Sequence, residues 1–135
     1  MAERLRLDVV TPRCRVLECS ADEVRIPGAL GELGVLPGHT PLLTSLGTGE
    51  ITWFDGDTIG RLVIQGGIAE VQAHAVTVLA TIAETVDEID VEKARTILAE
   101  AQEALRTVTA EDFDEIDGTV RLAEAQINAT AGSGA

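Results

Sequence analysis

Gly31-Glu32-Leu33-Gly34-Val35-Leu36-Pro37-Gly38-His39-Thr40-Pro41-Leu42-Leu43 is the stretch that decides how the chain is read. Three glycines and two prolines in thirteen residues rule out a helix, because interior Gly costs about 1 and Pro about 3 kcal/mol relative to Ala. The punctuation alternates with Leu33, Val35, Leu36, Leu42 and Leu43, so the segment is not a solvated linker either. It reads as a short strand, a sharp turn at Pro37-Gly38 and a return into a core. Glu32 is its lone carboxylate. A rigid, partly apolar loop of this kind suits docking onto another protein, and a tight β-turn with no partner is the plainer alternative.

The pattern on both sides of this loop is β-structure. Leu5, Leu7 and Val9 alternate with Arg4, Arg6 and Asp8, and Val24 and Ile26 alternate with Glu23 and Arg25. Ile51 and Trp53 lead to Asp55-Gly56, a hairpin signal, with Thr58–Gln65 as the returning strand. Ile68–Ala73 and Val76–Ile82 form a further pair around His74. Many short strands at close spacing predict a sandwich or flattened barrel.

The period changes near Val86. Asp90 is placed to cap a helix with Glu92 in its first turn, and Ala94, Ile97, Leu98, Ala101 and Leu105 recur at helical spacing. Thr109-Ala110-Glu111-Asp112 resembles a capping box with Asp in the place of Glu. Phe113, Ile116, Val120, Ala123 and Ile127 form a second stripe, Gly118 interrupts that helix, and Ala129–Ala135 reads as a frayed small-residue tail. The expected fold class is therefore α+β: an N-terminal flattened antiparallel β-sandwich or barrel over residues 1–86, then an antiparallel two-helix hairpin over 87–135. The hairpin's apolar stripes are thin, so it needs the β domain or a partner to lean on.

Charge narrows the function. The net charge is −13, with nine Arg and one Lys, Lys93. Nucleic acid is disfavoured, since phosphate binding needs cations, and an anionic lipid surface would repel the chain. Residues 87–135 hold twelve Asp/Glu against four Lys/Arg. The longest uncharged runs, Leu33–Gly49 and Val71–Ala83, fall short of the ~20 residues of a spanning helix, and the N-terminus has no apolar signal core. A soluble cytoplasmic protein with no direct membrane insertion is expected. Cys14 and Cys19 read as two reduced, half-buried thiols.

Chemistry is sparse. There is no Walker A spacing around Lys93, no third Gly after Gly47-Thr48-Gly49 for a dinucleotide loop, and no metal-ligand partner for His39 or His74. His39 reads as a loop histidine bonded to its own turn, and Asp55 and Asp57 as turn residues. A hydrolase using Glu32 or Asp57 with His39 finds no support in the spacing, and a stand-alone β-sandwich binding module with a helical appendage remains an alternative.

Gly31 to Thr44 also resembles the signature of the epsilon subunit family of F-type ATP synthases, the delta subunit of mitochondria. Gly49-Glu50-Ile51, Gly66-Gly67-Ile68-Ala69-Glu70-Val71 and Val76–Ala80 follow in that family's order, and the resemblance covers the whole chain. It implies a non-catalytic central-stalk (rotor) subunit, peripheral on the cytoplasmic face of the bacterial inner membrane, that couples c-ring rotation to the gamma subunit during proton-driven ATP synthesis. It implies a c-ring-facing segment of Glu32, Leu33, Val35, Leu36, Pro37, Gly38 and His39. It further implies a regulatory hairpin that reaches transiently toward the alpha/beta catalytic head. With only Lys93, Arg95, Arg106 and Arg121 available there, weak inhibition of ATP hydrolysis is expected. Some bacterial relatives bind ATP through an Ile/Leu-Asp-x-x-Arg-Ala motif; here Ile89, Asp90, Lys93 and Ala94 match it with Lys in the place of Arg. Lys lacks the planar fork, so no cofactor, or at most weak regulatory ATP, is expected.

Overall fold

The computed structural model describes residues 3–133. Seven strands come first: β1 (Leu5–Val10), β2 (Arg15–Ala21), β3 (Glu23–Gly28), β4 (Gly31–Val35), β5 (Leu42–Asp55), β6 (Thr58–Val71) and β7 (Ala75–Thr85). A 3-10 turn over Val86–Glu88 leads to helices α1 (Val91–Leu105) and α2 (Phe113–Ser133). The strands form one sheet in the order β2-β1-β7-β6-β5-β3-β4. All pairs are antiparallel except β1 with β7, so the expected antiparallel sandwich contains one parallel pair. Most of the β chain separates those two strands, so no tight turn has to join them and parallel pairing is open to them.

One sheet becomes a sandwich by folding over on itself. β5 and β6 are each 14 residues long. Along β6, Leu62 and Ile64 face the core, and so do Ala69 and Val71, so the inward positions switch from even to odd. β5 makes the same switch between Leu46 and Ile51. Side chains alternate strictly along a regular strand, so a change of phase demands a bend. The bend in β6 is Gly66-Gly67, with φ of 67° and 138°. A Cβ on Gly67 would fall on the Leu79 carbonyl oxygen, so only glycine fits this close approach.

The core between the two halves is built from Leu5, Leu7, Val9, Val24, Ile26, Ile51 and their neighbours, all fully buried. The alternation expected of β1 and β3 is therefore present. Asp55-Gly56 makes the β5–β6 turn, with Gly56 at φ 60°. A polar clamp ties three ends together: Arg4 donates to Asp22 at 2.8 Å and to Asp55 at 2.7 Å, while Asp22 accepts from the Gly56 N–H at 2.8 Å. Cys14 is exposed, not half-buried as expected, because it precedes β2 in a turn; burial pushes the Cys19 thiol up.

Two expectations about the hairpin change. Phe113 is exposed at the start of α2, and Ala129, expected in a frayed tail, is fully buried. The reason lies in the sheet. Val63 of β6 points to the outer face, where Ala125 and Ala129 cover it with Leu122, Val86 and Ile89 packed alongside. The buried positions of α2 are set by this apolar spot rather than by the largest residues of the helix. α1 runs back along α2, with Ala94, Ala101, Val120 and Ala123 buried.

Candidate docking surface and hairpin cleft

Structure separates the proposed docking residues into two groups. Glu32 and Leu33 lie on β4, an edge strand paired only with β3. Glu32 is exposed, and Leu33 packs partly against the core. Val35 is fully buried, which corrects its place among the docking residues: its side chain belongs to the core. Beyond it, Leu36 is exposed and the turn closes on itself, with the His39 N–H donating to the Leu36 carbonyl at 3.1 Å. Gly38, at φ 88°, donates to the Ala73 carbonyl at 2.7 Å and so fastens the turn to the β6–β7 connection. His39 Nδ1 lies 2.7 Å from the Thr40 carbonyl. A carbonyl only accepts, so Nδ1 carries the proton, as expected of a histidine bonded to its own turn.

Next to this turn the sheet exposes apolar side chains that the alternation pattern did not assign to any face. Leu43 is 70% exposed and Leu79 55% exposed. Leu79 is in register with Ile68 on one side and Val10 on the other. The three form a strip across β6, β7 and β1, continuous with a shallow groove lined by Thr11, Pro12, Thr81 and Ala80. A signal for it was present: Val76–Ala80 is apolar at four of five positions, and a run without alternation marks a strand covered on both faces.

The second candidate region is a cleft of about 570 Å³ between the helices and the sheet. Asp90 caps α1, its Oδ1 accepting from the Lys93 N–H at 3.1 Å. Lys93 reaches the cleft, Ala94 is buried in its wall, and Ile89 packs with Val63 and Ala129 instead. The other charged walls are Glu84, Glu88, Asp90, Asp114 and Glu115. Five carboxylates against one ammonium make this a poor cradle for phosphate. Across the cleft Gln126 donates to Glu84 at 2.6 Å. Glu88 accepts from the Thr85 hydroxyl at 2.7 Å and from its N–H at 3.2 Å, which holds the Glu88 carboxyl below its usual value. Among the described residues, no three His, Cys, Asp or Glu come together as a metal site, and no helix is long and apolar enough to cross a membrane.

A family model described as "ATP synthase, Delta/Epsilon chain, beta-sandwich domain" matches residues 4–86. The chain belongs to the ATP synthase delta/epsilon family. It is 47% identical over 112 residues to the ATP synthase epsilon chain of Geotalea daltonii, covering 83% of this chain and 81% of that one. Against the epsilon chain of Geobacter sulfurreducens it is 46% identical over 114 residues, covering 84% and 83%. A chain in the cryo-EM structure of the Euglena gracilis mitochondrial ATP synthase OSCP/F1/c-ring shares the fold, with TM-score 0.80, 24% identity, and 95% of this chain and 81% of that chain covered. A chain in the Tetrahymena thermophila mitochondrial ATP synthase central stalk/c-ring structure shares it at TM-score 0.63 and 13% identity, covering 95% and 97%. The delta/epsilon family match ends at residue 86, where the last strand gives way to the 3-10 turn.

Proposed function

We propose that this chain works as the epsilon subunit of a bacterial F-type ATP synthase, a non-catalytic rotor part of the central stalk. The observation that supports it most is 46–47% identity to ATP synthase epsilon chains over more than four-fifths of the sequence. In this reading residues 1–86 are the docking body and residues 87–135 a regulatory hairpin. The body sits on the cytoplasmic side of the cell membrane, peripheral to it, and couples c-ring rotation to gamma in proton-driven synthesis. Glu32, Leu33, Leu36, Pro37, Gly38 and His39 face the c-ring, with Val35 supporting them from the core. The strip of Ile68, Leu79 and Val10 is the face offered to gamma, because Ile68 and Leu79 are exposed apolar side chains side by side on adjacent strands, continuing onto half-buried Val10. The body acts by stiffness: a close-packed interior transmits strain with little give.

The hairpin contacts the alpha/beta head only transiently and inhibits hydrolysis weakly, since it carries few cations. The acidic cleft with Lys93 in the place of Arg takes MgATP weakly or not at all, which calorimetry on the purified chain checks. The deciding experiment removes the chain from membrane vesicles. Proton flow then continues while ATP synthesis falls, and re-addition of the chain restores coupling. Vesicles that synthesise ATP normally without it refute the proposal. So does failure to co-purify with the synthase, the outcome a stand-alone binding module predicts.

A further inference from the structure

Glu50 of β5 is directly across from Val63, so it lies on the sheet face that α2 covers. Its Oε2 accepts from Arg61 at 3.3 Å, while its Oε1 is out of contact with solvent and has no hydrogen-bond partner among the described residues. The groove around it has two walls. Pro27, Gly28 and Glu32 of the β3–β4 hairpin form one, and Arg121, Glu124 and Ala125 of α2 form the other.

We infer that the seating of α2 on the sheet is linked to proton uptake in this groove, so that acid tightens the hairpin and alkali loosens it. The inference rests on reading the hairpin as a movable regulatory element. Facing Glu50 are Arg61 from β6, Glu32 from β4, and Arg121 and Glu124 from α2. Beyond Val63 on the same face stands Glu84, bonded to Gln126. Arg121 is bonded to Asp117 of its own helix at 3.0 Å, and Glu32 lies within the field of Arg25. Arg61 thus offsets only part of the charge on Glu50, and Arg121, held by Asp117, is engaged elsewhere. Burial, opposed by Arg61 and reinforced by Glu32, holds the Glu50 carboxyl above its usual value of 4.5.

The α2 wall is the removable part of that burial. Lifting α2 returns water to Glu50 and takes Glu124 away from it. The seated form therefore binds a proton more readily than the lifted form. Seating strengthens as the pH falls through the raised Glu50 value, and levels off below 4.5.

The test follows amide hydrogen exchange in the isolated full chain from about pH 8 down to about pH 5, corrected for intrinsic exchange, with β1 amides as the internal reference. Protection of α2 amides rises severalfold on acidification. Glu50→Gln, which keeps the shape and removes the charge, leaves α2 protected throughout and flattens that slope. Glu124→Gln, at the solvent-exposed rim of the groove's α2 wall, reduces the slope and supplies the same test should the first variant fail to fold. An unchanged slope in the folded variants overturns the inference, as does an α2 that opens only when the whole sheet does. Neither outcome involves the synthase, so failure here is separate from failure of the rotor reading.

Discussion

Gln126 of α2 donates its side-chain amide to Oε1 of Glu84 on β7 at 2.6 Å, a side-chain hydrogen bond that ties the helix to the sheet. The apolar part of that contact is Ala125 and Ala129 on Val63, with Leu122 alongside. A charged acceptor makes this bond worth more than a neutral one, about 1.5–3 kcal/mol. Gln126→Glu replaces it with two facing carboxylates. Local opening of α2 then becomes easier by roughly that amount, while β1 and β5 amides keep their protection. Exchange rates on α2 read the effect, and an unchanged α2 refutes it.

Gly118 sits inside α2 with nothing within 4 Å of where a Cβ would stand. Gly118→Ala therefore gains helix propensity at no steric cost and stabilises α2 by about 1 kcal/mol. The gain is visible as slower exchange along α2 and higher helicity at elevated temperature.

Gly67 is the opposite case. Its φ of 138° and the Leu79 carbonyl beside it leave no room for a methyl group. Gly67→Ala combines backbone strain with overpacking, each about 1–3 kcal/mol. Urea unfolding of the variant shows a clearly lower midpoint, and a variant as stable as the parent removes the account of the bend.

Glu88 titrates below the usual carboxylate value of 4.5, with the Thr85 hydroxyl as the largest cause and the Thr85 N–H second. What this bond adds to the 3-10 turn is complete above that usual value and disappears as the pH falls through the lowered one. An NMR titration finds the Glu88 midpoint below 4.5, and Thr85→Val moves it upward. A Glu88 midpoint already at the ordinary value contradicts the geometry.

What was legible in the sequence was local. The alternation of Leu5, Leu7 and Val9, the Asp55-Gly56 turn and the Asp90 cap each depend on a few neighbouring residues, and each is found in place. What was not legible depended on distant partners. Gly66-Gly67 carries no mark of a bend until Ile64 and Ala69 are known to face one core. The docking face of α2 follows from Val63, more than fifty residues upstream, so Phe113 falls outside it and Ala129 inside. The candidate ring-facing loop was read as one patch. A run of β4 between Glu32 and Leu36 makes it two, with Val35 turned inward.

Because β5 and β6 run unbroken through the fold-over, both layers of the sandwich share the same two backbones. A torque on one layer reaches the other along covalent chain and laddered amides, not merely across interdigitated methyl groups. Sliding the layers apart would mean tearing the β5–β6 ladder in register, from Leu42–Val71 to Asp55–Thr58. A part seated on a turning shaft gains from this: the body twists as one piece before any layer slips.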